Sequence, residues 1–244
     1  MFKKFLSVTL SLFLVVSLAA CAGGSDTISV SSDDGGQVSS GGGFNANLKS
    51  QIQNCTPMVD YAGNTSIDQM DYVTFGLDEN SEPIEWIVLE KSNNRALLLS
   101  KYVLTSHRYR YNDDNVDITW ENCTMRKWIN SEYINTIFSK KEQGSIITTD
   151  VINNVNVQNG INGGNNTKDK LFLLSIDEVK KYLRTNNQRV ATDKGGSAKY
   201  WGLRSPGNSR QSTALVGWDG YLFEGSGDGV NITKGVRPAM WVSY

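Results

Sequence analysis

The chain has 244 residues, with 24 Lys and Arg against 25 Asp and Glu, one His and six Trp. A near-neutral balance with no clustered basic stripe argues against nucleic acid as a partner, since that binding rests on grouped Lys and Arg. Aromatics at 10% give a real core its bulk and exclude a disordered coat protein, and a single His leaves no basis for a Cys/His zinc site.

Lys3 and Lys4 precede an apolar run from Phe5 to Leu18 that is interrupted by Ser and Thr. It is too short for a bilayer span of about 20 apolar residues. A basic start, a short apolar run and small residues before the cut mark a secretory signal over residues 1–20. Leu18-Ala19-Ala20-Cys21 is similar to the bacterial lipoprotein box. That resemblance implies that Cys21 takes a diacylglyceryl group, becomes the new N-terminus and adds palmitate-type acylation. The expected location is therefore the bacterial cell membrane, lipid-anchored through Cys21 and facing outside the cytoplasm. Without the leader, 22 basic side chains face 25 acidic ones, a formal net of −3.

Residues 22–43 are Gly, Ser and Asp with almost nothing to bury. They read as a flexible linker spanning about 25–30 Å root-mean-square. Residues 44–70 are transitional, with Leu48, Ile52 and Met58 placed to dock a short helix. The expected division is a lipoprotein signal peptide at 1–20, the lipidated Cys and linker with its transitional segment at 21–70, and a globular α+β domain at 71–244. Cys55 and Cys123 either form one bridge, as an oxidising compartment allows, or remain two unpaired thiols.

Tyr72 to Phe75 reads as a strand. Ile84 to Leu89 and Arg95 to Leu99 read as a hairpin around Ser92-Asn93-Asn94, whose asparagines tolerate a left-handed backbone. Both runs are apolar on nearly every residue, which predicts burial on both faces. Thr119 or Asn122 caps a helix carrying Met125, Trp128 and Ile129, and Ser131 restarts it with Ile134, Ile137 and Phe138 on one face. Ser139…Glu142 and Ser175…Glu178 have the form of capping boxes. Leu171 to Leu174 enters the second of these helices as a buried strand. Asp219-Gly220, between Ala214–Trp218 and Tyr221–Phe223, signals another hairpin. Gly225 to Gly229 reads as a second turn leading to Val230-Asn231-Ile232, and Gly235 to Val242 as one terminal strand.

Pro83 to Leu89, Thr119 to Asn130 and Lys170 to Ser175 resemble segments of a bacterial extracellular family, the domain of unknown function numbered 6273. Trp201-Gly202-Leu203-Arg204-Ser205-Pro206-Gly207 and Gly235-Val236-Arg237-Pro238-Ala239 are similar to that family's closing motifs. The resemblance runs from about Tyr72 to Val242 and implies no activity. The closing motifs also resemble the C-type-lectin-like fold, which includes formylglycine-generating enzymes. The resemblance implies a single C-type-lectin-like domain with short helices and a hairpin-rich C-terminal half. Those enzymes work through C-terminal cysteines, and this chain has no Cys after Cys123.

Catalytic chemistry finds little footing. His107 lies between Arg108 and Arg110 on one side and Ser106 on the other, with no Gly-x-Ser-x-Gly anywhere. It reads as an ordinary loop histidine, and no residue is assigned a catalytic role. Asp113-Asp114-Asn115-Val116-Asp117 begins like a calcium loop, but Ile118 and Thr124 stand where an EF-hand needs Gly and Glu. No cofactor is expected, and an irregular calcium site is the alternative to a solvated acidic loop.

Arg204 and Arg237 sit inside apolar strands, where an unpaired guanidinium is costly. Both are expected to bridge strands to carboxylates or carbonyls, with Trp86, Trp128, Trp201 and Trp241 in the core. Trp218 and Tyr221 flank a hairpin tip, so they are expected to form a contact surface, with Asn208, Arg210, Gln211, Asp219 and Asp228 in neighbouring loops. The expectation is a membrane-anchored lipoprotein that binds a glycan or a surface protein. An envelope hydrolase using carboxylates between Asp113 and Glu121, or a non-catalytic assembly module, are the alternatives.

Overall fold

A computed structural model describes residues 42–110 and 117–244, with side chains from Asn47 onward. The expected signal peptide, Cys21 and nearly all of the linker lie outside the described residues, as do Asp113, Asp114, Asn115 and Val116. Helix α1 (Gly42–Asn54) buries Leu48 and Ile52, which lie one turn apart on the same face, and Met58 is buried just beyond it. These three join the main core, as their spacing predicts.

Strands β1 (Val73–Leu77), β2 (Pro83–Ser92) and β3 (Arg95–Ser100) form an antiparallel meander. Asn93 (φ 49°) and Asn94 (φ 58°) are both left-handed, and Ser92 pairs with Arg95 across them. That is the two-residue hairpin expected from the sequence. Ile87, Val88, Leu89, Leu97, Leu98 and Leu99 are all buried, so both faces of this ribbon are covered.

After β4 (Thr105–Arg108), Thr119 and Asn122 cap each other around a 3-10 turn, and Cys123 Sγ accepts the Arg126 N–H at 3.3 Å. Helix α2 (Thr124–Trp128) then passes through a π-helical turn (Ile129–Tyr133) into α3 (Ile134–Ile137). The restart expected at Ser131 does not occur. Ser131 Oγ donates back to the Lys127 carbonyl at 2.6 Å, and the wider turn absorbs the mismatch without breaking the helix. Capping boxes at Ser139 and Ser175 open α4 (Lys140–Gln143) and α5 (Ile176–Tyr182), and α6 (Asn186–Arg189) follows. Six short strands fall among these helices and their loops: β5 (Ile146–Ile147), β6 (Thr149–Val151), β7 (Thr167–Asp169), β8 (Phe172–Leu173), β9 (Ala191–Thr192) and β10 (Ala198–Lys199).

The C-terminal third supplies β11 (Trp201–Pro206), β12 (Ser212–Val216), β13 (Leu222–Gly229), β14 (Thr233–Val236) and β15 (Pro238–Ser243). One sheet has the order β1-β2-β3-β15-β5, with β8 also on β15; a second has the order β13-β12-β11-β14-β4. β11 and β14 are parallel neighbours, and the other pairs in these two sheets are antiparallel. The whole is an α+β fold with one core shared by both sheets.

Two sequence expectations fail in this region. Gly225 to Gly229 is no turn but the bulged end of β13: Phe223 faces Leu215 and Asp228 faces Thr213, so extra residues of β13 loop out opposite Ala214. The turn falls later, where the Ile232 N–H donates to the Gly229 carbonyl at 3.1 Å. Gly235 to Val242 is no single strand either. The chain leaves the second sheet after Val236 and enters the first at Pro238, which has no N–H to continue the old ladder. Arg237 is the one residue at the crossing and is completely buried.

Candidate functional site

The β12–β13 hairpin forms the site. Gly217 N–H donates to the Tyr221 carbonyl at 2.8 Å, and Gly220 N–H donates to the Gly217 carbonyl at 3.0 Å. This is a three-residue loop, Trp218-Asp219-Gly220, with Gly220 left-handed (φ 79°). Gly220 is required there for a second reason. A Cβ on it would lie 2.0 Å from the Asn186 carbonyl oxygen, so the loop seats directly on the start of α6. Asp219 Oδ1 accepts the Tyr221 N–H at 3.0 Å and locks the tip. Held this way, Trp218 projects with 67% of its surface exposed and Tyr221 with 53%.

Beneath Trp218 runs a groove of about 240 Å³, lined by Tyr200, Leu215, Gly217, Trp218, Asp219, Phe223 and Asp228. Register explains the convergence. Leu215 is the cross-strand partner of both Gly202 and Phe223, so all three point to one face of the second sheet. Gly202 contributes no side chain, and the Lys234 stem covers it: a Cβ there would stand 3.3 Å from Lys234 Cδ. Tyr221 packs edge-on against Phe223, with centroids 4.8 Å apart at 74°. Four aromatic side chains, Tyr200, Trp218, Tyr221 and Phe223, thus present one exposed apolar patch with two carboxylates at its border.

Lys234 is buried beside this groove, its ammonium donating to the Asp228 and Gly229 carbonyls at 3.3 and 2.5 Å. Burial pulls its amine down to about 8, against a smaller opposing pull from the Asp228 charge.

Of the seven expected contact residues, the structure brings Trp218, Asp219 and Asp228 to the groove and sets Tyr221 beside it. Asn208, Arg210 and Gln211 do not line it. They precede Ser212 at the far end of β12, about 13 Å of strand from Val216. There the Asn208 side chain accepts from Ser212 Oγ, and Arg210 pairs with Asp117 at 3.0 Å. Tyr200, Leu215 and Phe223 were not among the expected contacts, since their meeting depends on register across three strands.

The residues expected to be structural divide sharply. Arg204 makes a two-pronged ion pair with Glu178 and donates to the Leu173 and Ile152 carbonyls at 2.7 and 2.9 Å and to Asn153 Oδ1 at 3.2 Å. Arg237 meets the carbonyl half of its expectation and no carboxylate. Its Nε donates to the Ser100 carbonyl at 2.8 Å, its guanidinium lies over the Trp201 ring at 4.9 Å, and Nη1 and Nη2 have no hydrogen-bond partner. Trp86 and Trp201 are core as expected, joined by Trp120, whereas Trp128 and Trp241 are only half-buried.

His107 stacks on Trp128 at 4.2 Å, and its Nδ1–H donates to the Arg108 carbonyl at 2.7 Å. Cys55 and Cys123 are separate, buried free thiols, pushed up to about 11 and about 12 mainly by burial. Both are too protonated to be nucleophiles near neutrality. Among the described residues no group of three or more His, Cys, Asp or Glu side chains is placed to hold a metal ion, and no helix is long and apolar enough to cross a membrane.

The family model described as Domain of unknown function (DUF6273) matches residues 93–244. The chain belongs to the DUF6273 family. Every residue of the groove lies within that span, as do Arg204 and Arg237. The DUF6273 match begins at the Asn93–Asn94 turn, so β1 and β2 lie upstream of it although β2 pairs with β3 inside it. No curated protein and no solved structure matches the chain.

Proposed function

We propose that this DUF6273 protein is a lipid-anchored, extracytoplasmic binding protein whose C-type-lectin-like domain takes a glycan on the Trp218 groove. One observation carries the reading: three exposed aromatic rings and two carboxylates line one groove, with Tyr221 packed beside it on Phe223. Sugar rings have apolar C–H faces that pack flat on exposed aromatics, while their hydroxyls donate to carboxylates such as Asp219 and Asp228. The shallow shape suits one or two sugar units of a longer chain. Acylation of Cys21 would supply the anchor, because two buried acyl chains hold where one is marginal.

The compact unit Ser39–Tyr244 on a glycan array tests the binding half. Retention on one related group of saccharides is the expected result. Failure on every saccharide, together with tight capture of a surface polypeptide, overturns the glycan in favour of a protein ligand. For the anchor, labelled fatty acid should enter the wild-type chain and not the Cys21→Ser variant; an unlabelled wild type overturns it.

A further inference from the structure

A second cleft, of about 260 Å³, opens far from the Trp218 hairpin in sequence. Four segments build its walls: the β1–β2 turn at 78–80, residues 103–105 entering β4, the α2–α3 helix, and the β9–β10 turn at 193–194. Its apolar lining includes Val103 and Ile137, both buried, with Trp128 and Tyr133 stacked on each other at 4.6 Å. Its polar lining is acidic: Asp78, Glu79 and Asp193 outnumber Lys194. Asp78 is fixed in place, since its Oδ1 accepts the Asn80 and Glu82 N–H groups at 2.9 and 3.0 Å. Burial, together with the charges of Glu79 and Asp78, drives the Tyr133 hydroxyl well above its ordinary value, which places that phenol among the acids.

Lys194 already shows how this cleft holds a basic group. Its ammonium reaches Asp78 at 2.6 Å and Glu82 at 3.1 Å. Asp193 is likewise engaged, by Lys199 at 3.0 Å. Glu79 makes no ion pair among the described residues, and it is exposed. We propose that this cleft binds a basic side chain of a partner polypeptide, its aliphatic stem on the Val103–Ile137 wall and its cation on Glu79. A long basic side chain has the matching division, since it lays an apolar stem along apolar surface while its charge stays near water. Excess negative charge in the lining adds attraction that salt screens. At about 260 Å³ the cleft has room for one inserted side chain.

Titration calorimetry on the full chain tests this with three probes: N-acetyl-lysine N-methylamide, its uncharged norleucine counterpart, and glucosamine. The lysine probe should bind at millimolar concentrations, more weakly as salt rises, with the norleucine probe at least about tenfold weaker. Glu79→Gln should weaken the lysine probe about three- to tenfold. Lys194→Met, which frees Asp78 and Glu82, should tighten it. No binding of the lysine probe, equal binding of norleucine, tighter binding of glucosamine, or an unchanged Glu79→Gln titration overturns the proposal. Trp218→Ala should leave these titrations as they are, so this site and the glycan groove fail separately.

Discussion

Replacing Arg204 by methionine is expected to cost about 3 kcal/mol of folding stability, because it removes one partner of a buried ion pair and leaves the rest in place. The guanidinium is almost fully buried and all three of its nitrogens donate, to Glu178, two carbonyls and Asn153. Glu178 also serves as the third residue of the α5 capping box, accepting the Ser175 N–H at 2.8 Å. Losing Arg204 therefore leaves a carboxylate at the start of α5 without its cation, together with unmet carbonyls beneath β11. Partial water access to Glu178 holds the cost to the lower end of the range for broken buried pairs. For a chain of this size that is roughly 6–12 °C in melting temperature. Glu178→Gln should cost nearly as much, and the double variant less than the two costs added, as coupled neighbours require. Thermal melting of the three variants checks this; a shift below about 2 °C for Arg204→Met contradicts it.

Arg237→Met should go the other way. Here the charge is equally buried but lacks a carboxylate, and two of its three nitrogens lack any hydrogen bond. Methionine keeps the stem and removes the desolvated charge, which stabilises by about 1–4 kcal/mol when such groups are replaced by apolar ones of similar volume. The lost contact with the Trp201 face, worth up to about 2 kcal/mol, sets the gain near the lower half of that range.

The gain should depend on pH. Burial holds the guanidinium down to about 9 in the folded chain, well below its ordinary value. Between those values the unfolded chain carries the extra proton, so wild-type stability from this group rises with pH. The advantage of Arg237→Met is therefore flat below about pH 8 and shrinks from pH 9 upward. Lys234, which burial holds down to about 8, is present in both proteins, so its contribution is expected to cancel from the difference. A wild-type chain that outmelts Arg237→Met at pH 7 contradicts this account of the crossing between the sheets.

Local chemistry was legible in the sequence wherever a local rule decided the outcome. Asn93 and Asn94 take the left-handed turn that few other residues tolerate, and Ser139 and Ser175 cap their helices at the predicted spacing. Asp219-Gly220 marks its hairpin, although the loop closes with three residues instead of two. What failed to show was decided by distant partners. Gly235 to Val242 reads as one strand apart from Pro238, and the competing sheets decide that the chain breaks at Arg237. Arg204 and Arg237 look alike in sequence, yet one meets Glu178 from α5 and the other meets a Trp face. The groove suffered for the same reason. Trp218 and Asp219 announced themselves at a turn, whereas Tyr200, Leu215 and Phe223 join them only through register across β11, β12 and β13. Asn208, Arg210 and Gln211 were grouped with them by closeness in sequence, and they do not line the groove.

The exposed Trp218 ring decides between a ligand surface and a misplaced piece of core. Binding and melting of Trp218→Ala, measured on one preparation against the best saccharide from the array, test that directly. The prediction is a loss of about 1–3 kcal/mol in binding, roughly five- to 150-fold, with melting within about 2 °C of wild type. Undiminished binding, or a melting temperature that collapses with the ring, would contradict it.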